Sequence, residues 1–289
     1  GSGKTTFIQR LNADLHARGQ RGYVVNLDPA ALQLPYEAQV DIRDSVDYRE
    51  LMKRHSLGPN GGILTAVNLF ATSFNQVIDL CERRAGMAAE SSEEDKQKGL
   101  DYILVDTAGQ IEVFTWSASG TIFAEGFASS FRTVVAYVAD APSCHHPQTF
   151  MANMLQACGV LYKARLPMVL VFNKTDVASD QQLQEWMADY EAFYEAIEED
   201  HSYASSLSRS LAVVLEEFYS GLQAVGLSAA AGVGVDRFWG AVQAAAGDYV
   251  REYWPEVLRR RQELEAARAS AGAEAAAGEP GPRGEPRKG

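Results

Sequence analysis

The sequence predicts an α/β fold on a mostly parallel sheet, because short buried-strand patterns alternate with helical ones along most of the chain. Five runs carry the strand signal: YVVNLD at residues 23–28, DYILVD at 101–106, TVVAYVAD at 133–140, MVLVFN at 168–173 and AVGLSA at 224–229. Each is too short and too uniformly apolar for an amphipathic helix, and most end in a polar residue at what a parallel sheet makes one common edge. A large single domain fits the 289-residue length.

The elements follow in order. After Thr5, Phe7, Leu11 and Leu15 recur at helical spacing, and Gly19 and Gly22 stop that helix. About six residues lead back to YVVNLD, a return short enough to favour a right-handed parallel crossover from a strand expected ahead of residue 1. That crossover would put Asp28 beside the N-terminal loop. Residues 44–90 read as an insertion of two helices around Gly58–Gly62, with Asp44 as N-cap of the first. The polar segment AAESSEEDKQKG, residues 88–99, reads as a mobile loop. Helical patterns also cover 149–163 and 203–222, and a closing helix starts at Asp236 with a break around Pro255. Residues 1–262 are expected to form the domain and 263–289 a helical extension with a disordered Ala/Gly/Glu/Pro tail.

Hydrophobic residues make up 46% and charged residues 22%, as in ordinary globular proteins. The net charge of -12 disfavours nonspecific attraction to nucleic acid or anionic membrane, and neither is expected as a direct partner. No apolar run reaches the roughly eighteen residues of a membrane span. Three cysteines, Cys81, Cys144 and Cys158, without a C-x-x-C pair, argue against a disulfide framework or zinc ribbon and for a reducing compartment.

The motifs carry the chemistry. GSGKTT at residues 1–6 matches the second half of the phosphate-loop pattern G-x-x-x-x-G-K-[ST]. Gly1 and Gly3 let backbone N–H groups close on phosphate oxygens, Lys4 adds a charge for the β/γ-phosphates, and the Thr5 hydroxyl suits Mg²⁺. DTAGQ, residues 106–110, ends a strand: Asp106 is placed for the shell of Mg²⁺, the Gly109 N–H for the γ-phosphate and Gln110 for orienting a water. NKTD, residues 173–176, offers Asp176 to the N1–H and amino group of guanine, a kind of site that discriminates by roughly 10⁴–10⁵. Asn173 would brace that loop, the Lys174 stem would cover the base, and the Ala229 N–H could donate to O6. Asp28 could hold a metal-bound water or receive a proton. Together these features predict a P-loop NTPase of the signal-recognition and MinD-like class; a Ras-like monomer is the fold-level alternative.

GSGKTT, NLDPA, DIRD, GPNGG, DTAGQIEVFTWSASG and NKTD, in this order, resemble the GPN-loop GTPases, over residues 1 to about 255. The segments NLFATSF, FTWSASG and NMLQAC narrow the resemblance to one paralogue of that family. The family usually has proline where this chain has Ala108. The resemblance implies that Gly1, Ser2, Gly3, Lys4, Thr5, Thr6, Gly109, Asn173, Lys174, Thr175, Asp176 and Ala229 bind GTP, with Thr5 and Asp106 on Mg²⁺. It implies catalytic roles for Lys4, Asp28, Asn60 and Gln110, with Gly58-Pro59-Asn60 acting on the neighbouring subunit's nucleotide. It also implies a homodimer, or a heterodimer with a paralogue, that serves assembly and nuclear import of RNA polymerase II through its subunits or assembly factors, shuttling from cytoplasm to nucleus. A GTP-binding scaffold or chaperone with negligible turnover is the alternative.

Three further features have plainer readings. Adjacent His145 and His146 suit a solvated loop better than a metal site. Phe114, Trp116 and Phe123 suit the core more readily than a client surface. Arg259–Arg261 suits a solvated helix face.

Overall fold

The computed structural model describes residues 1–198, 218–219, 221–259 and 262–263. Six strands form: β1 (Gly22–Leu27), β2 (Val40–Asp41), β3 (Tyr102–Thr107), β4 (Val135–Asp140), β5 (Met168–Asn173) and β6 (Gln223–Leu227). They build two three-stranded parallel sheets, in the orders β2-β1-β3 and β4-β5-β6. The five expected strands are all present. β2 is the addition, a two-residue strand too short to leave a period in the sequence.

The helices begin with α1 (Lys4–Ala17), α2 (Ile42–Ser45), α3 (Tyr48–His55), α4 (Pro59–Ala71), α5 (Phe74–Arg84) and α6 (Glu93–Lys98). They continue with α7 (Ile111–Thr115), α8 (Ala118–Ser130), α9 (Ala141–Cys144), α10 (Pro147–Ala164), α11 (Gln181–Ala188) and α12 (Tyr190–Glu198). A C-terminal helix, Val235–Asp248, runs into a π-helical turn, Tyr249–Tyr253. Pro255 explains that turn, since it lacks an N–H and its ring crowds the carbonyl four residues back. Phe7, Ile8, Leu11 and Leu15 of α1 pack with Phe238 and Trp239 of the C-terminal helix against β-strand residues including Val24, Leu104, Val169 and Val171.

The insertion packs separately. Ile63, Val67, Phe70 and Phe74 cluster with Phe123 and Phe127 of α8 against Tyr23, Val25 and Leu27 of β1. Phe74 is fully buried, 4.5 Å from the Phe123 ring centroid, worth about 1.5–3 kcal/mol of burial. Among the described residues no single helix is long and apolar enough to cross a membrane; the bent pair α4 and α5 passes on length and composition only.

The insertion departs from the sequence expectation in its details. It holds four helices through Arg84 rather than two. Asp44 lies inside α2, and the caps are Asp41 for α2 and Asp47 for α3, whose side chains accept from backbone N–H groups of the first turn. The polar segment expected as a mobile loop contains α6, capped by Ser92 and anchored by buried Asp95, which pairs with Arg21 at 3.1 Å and Arg84 at 3.6 Å. The helical pattern expected at 203–222 falls largely outside the described residues, as do Arg260, Arg261 and the tail.

Between the two sheets runs a cleft of about 1850 Å³. β3 and β4 line it, with Phe7, Leu11 and Trp239 among the apolar side chains, and Gly1, Lys4 and Gln110 stand at its polar part. Among the described strands β3 pairs only with β1, and β4 only with β5.

Candidate active site

The strand registers bring the motifs to one edge. Asn26 of β1 lies opposite Asp106 of β3, Asp140 of β4 opposite Asn173 of β5, and Asn173 opposite Leu227 of β6. The carboxyl ends of a parallel sheet are where ligands bind in such folds.

The phosphate loop closes on its helix through Gly3, the N-cap of α1, which adopts φ 85° and ψ 31°. A Cβ there would also sit 2.7 Å from Asn173 Nδ2. Asn173 is the hub of the site. Its buried amide donates to the Ser2 carbonyl at 2.9 Å, while its oxygen accepts from the Lys174 N–H at 2.8 Å and the Ala229 N–H at 3.0 Å. One side chain therefore joins the phosphate loop to the NKTD loop and to the turn after β6, the two segments expected to meet the base. The Ala229 N–H expected to meet guanine O6 is engaged by Asn173 in this state.

Lys174, at φ 70°, donates to the Gly1 carbonyl at 2.8 Å and pairs with Asp140 at 2.9 Å. Burial opposes the charged form of Asp140, but the Lys174 ion pair and the Ser143 hydrogen bond outweigh it and shift the carboxyl downward. Asp176 is exposed at the tip of the same loop, one oxygen accepting from Ser228 Oγ at 2.6 Å, and the Thr175 N–H donates to the Leu227 carbonyl at 3.2 Å. Arg10 donates to the carbonyls of Ala229 and Ala230, both at 2.8 Å, and so fastens the turn after β6 to α1.

At the phosphate end Asp106 is 2% exposed. Burial raises its carboxyl above the usual range, opposed by the Tyr36 hydrogen bond, the nearby Thr5 hydroxyl and the charge of Lys4, with the charge of Asp28 adding to the rise. Tyr36 donates to Oδ2 at 2.6 Å, and Oδ1 is a buried acceptor without a hydrogen-bond partner. Such an oxygen is costly unless a cation or its water meets it. Among the described residues no group of three or more His, Cys, Asp or Glu side chains could cage a metal. Mg²⁺ on a nucleotide does not need one, because phosphates and water complete its octahedron. Thr5 and Asp106 therefore fit Mg²⁺, which would neutralise charge on the phosphates.

Asp28 follows β1, which pairs with β3, and its charge acts on Asp106 together with Thr5 and Lys4; its carboxylate also accepts from the Ala30 N–H at 2.9 Å. One expectation changes here. The Gly58–Gly62 stretch is less of a loop than its composition suggests: Gly58 is the N-cap of α4, Pro59 its first residue, and the Gly62 N–H already donates to the Gly58 carbonyl at 2.9 Å. The Asn60 and Gly61 N–H groups lie in the first turn, where a helix offers them no acceptor. Tyr48 donates to the Pro59 carbonyl at 3.1 Å, and Gln110 Nε2 donates to Asn60 Oδ1 within the same chain.

Ser2, Lys4 and Thr5 are half-buried, Thr6 is exposed, and Gly109 is exposed with open space where a Cβ would stand. His145 bonds Gln182 and the Ser179 carbonyl, both at 2.8 Å. Phe123 is core, whereas Trp116 is 69% exposed.

A family model described as "Conserved hypothetical ATP binding protein" matches residues 1–248. The chain is 51% identical over 265 residues to GPN-loop GTPase QQT2 of Arabidopsis thaliana, covering 92% of this chain and 67% of that protein. The chain belongs to the GPN-loop GTPase family. It is also 51% identical over 253 residues to GPN-loop GTPase 1 of Dictyostelium discoideum, covering 88% of this chain and 61% of that relative's length. The family model's description names ATP, but both relatives are named GTPases, and this GPN-loop GTPase carries the NKTD sequence expected to read guanine. An apo crystal structure of a GTPase from Pyrococcus abyssi has the same fold, with a TM-score of 0.70, 23% identity and coverage of 85% of this chain and 93% of that one. Paralogues named GPN-loop GTPase 2 match as well.

Tyr36, Asp140, Arg10 and the Asp41–Arg43 pair were not among the expected site residues. Only Asp41 and Arg43 left a signal, as the DIRD motif.

Proposed function

We propose that this GPN-loop GTPase hydrolyses GTP with Mg²⁺ as a dimer, with itself or a paralogue, and acts as a switch in assembly and nuclear import of RNA polymerase II, moving between cytoplasm and nucleus. The observation that carries the chemical part is the Asn173 hub, which holds the base loops and the phosphate loop as one unit. The biological part rests on the family resemblance. In this reading Lys4 and the Gly109 N–H stabilise charge on the γ-phosphoryl group, and Gln110 orients the water whose oxygen attacks phosphorus as the bond to the β-phosphate oxygen breaks. Asp28 and Asn60 support that step.

The test is binding of GTP and ATP to the full-length protein and its Asp176→Asn variant. GTP should be strongly preferred by the parent, and the variant should bind it more weakly and discriminate less. Equal affinity of the parent for ATP and GTP would overturn the reading. One observation favours the scaffold alternative: the Gln110 amide is turned to Asn60 in this state. Phosphate release by the dimer separates a switch from a passive binder.

A further inference from the structure

Asp106 is held from a direction that the nucleotide motifs do not explain. Tyr36 stands in the irregular stretch between β1 and β2, 70 residues before Asp106, yet its hydroxyl donates to Asp106 Oδ2 at 2.6 Å. Its ring packs against the cluster of Phe7, Leu11 and Leu104. The stretch that carries it is tied at both ends. Asp28 accepts from the Ala30 N–H at 2.9 Å, and Arg43 donates to the Ala31 carbonyl at 3.0 Å. At the far end the Gln39 N–H donates to the Val24 carbonyl at 2.9 Å, and the Val24 N–H donates to Gln39 Oε1 at 2.6 Å. Arg43 is itself fixed by buried Asp41 at 2.6 Å, and Asn26 donates to Asp41 at 3.0 Å. The NLD and DIRD motifs thus build a brace whose free end is one phenol hydroxyl on one carboxylate oxygen.

We infer that Tyr36 is a positioning residue for magnesium binding: by donating to Oδ2 of Asp106 it fixes that carboxylate and leaves Oδ1, which has no hydrogen-bond partner, for Mg²⁺ or its water. The inference rests on the Mg²⁺-dependent reading above. A buried carboxylate with only one satisfied oxygen has other rotamers open to it, and the phenol removes them. Tyr36 touches neither nucleotide nor metal in this role, so its effect reaches the ion only through Asp106.

The experiment uses the full-length protein and Tyr36→Phe, which keeps the ring in the apolar cluster and removes only the hydroxyl. The dissociation rate of a fluorescent GTP analogue is measured across a free Mg²⁺ titration, and again in EDTA. Loss of a hydrogen bond to a charged group should raise the half-saturating Mg²⁺ about tenfold. The rate in EDTA should stay near the parent's, which a general defect of the nucleotide site would not allow, while the unfolding midpoint should fall modestly because buried Oδ2 loses its donor. In an Asp106→Asn background Tyr36→Phe should add little, because both changes act on one ligand. An unchanged Mg²⁺ midpoint in Tyr36→Phe, with Asp106→Asn strongly shifted, overturns the inference alone. A lower midpoint overturns it too, since the hydroxyl would then compete with the ion. If Asp106→Asn itself leaves the midpoint unmoved, the magnesium reading of the site falls instead.

Discussion

Removing the Asn173 side chain should uncouple the base loops from the phosphate loop. Asn173→Ala leaves the buried Ala229 N–H without its acceptor, an unmet donor that costs about 1–3 kcal/mol. The Ser2 carbonyl and Lys174 N–H lie nearer solvent and should lose about 0.5–1.5 kcal/mol each. The total is about 2–6 kcal/mol, read as a lower midpoint in urea unfolding followed by tryptophan fluorescence. GTP affinity should fall at least about tenfold, since the two loops no longer hold one geometry. Gly3 makes the argument sharper. In the parent, Gly3→Ala should suffer both the left-handed backbone, about 1–2 kcal/mol, and the contact with Asn173 Nδ2 at 2.7 Å, about 1–3 kcal/mol. In the Asn173→Ala background only the backbone cost remains, so the double variant should be more stable than the sum of the singles. A loss below about 1 kcal/mol for Asn173→Ala, or equal costs of Gly3→Ala in both backgrounds, would refute the hub.

The remaining changes probe other parts of the site and core. A Cβ at Gly62 would lie 2.5 Å from Met52 Cγ and 2.8 Å from Tyr48 Cε2, so Gly62→Ala should push α3 from α4 and disturb the Tyr48–Pro59 bond. Its turnover should fall more than its GTP affinity, with overpacking of about 1–3 kcal/mol offset by roughly 1 kcal/mol of helix propensity. Burial pushes the Cys81 and Cys144 thiols up to about 12. At pH 8 their thiolate fraction is then about 10⁻⁴, so iodoacetamide should label only half-buried Cys158 in the native protein and all three cysteines after unfolding, counted by mass.

The long parallel strands were legible because buried strands read as unbroken apolar runs, and MVLVFN is buried at all six positions. The motif loops were legible for a related reason: their chemistry depends on residues close together in sequence. What escaped depends on contacts between distant residues. Arg10 meets Ala229 across 219 positions, and Tyr36 meets Asp106 across 70. The α6 segment looked like solvent-exposed loop because its composition is charged, but Asp95 is neutralised by Arg21 and Arg84, partners that no local pattern reveals.

The contact between Gln110 and Asn60 bears on how the GPN loop acts. Both residues belong to one chain here, whereas the family resemblance assigns the loop to the neighbour's nucleotide. The two are compatible if the contact is a resting one. Asn60 is exposed, and a single hydrogen bond between amides near the surface is worth only about 0.5–1.5 kcal/mol, so a partner's phosphate can replace it at little cost. The N–H groups of Asn60 and Gly61, at the start of α4, carry the positive end of that helix with them, which suits a transferring phosphoryl group. Mixing decides between the arrangements. Lys4→Ala chains lack a working phosphate site but keep the loop; Asn60→Ala chains keep the site but lack the donor. After subunit exchange is verified, the mixed dimers should recover hydrolysis at one of their two sites, because the Lys4→Ala subunit lends its loop to its partner. If verified mixed dimers stay inactive, the loop works within its own chain, and the Gln110–Asn60 bond becomes part of the catalytic arrangement rather than its resting state.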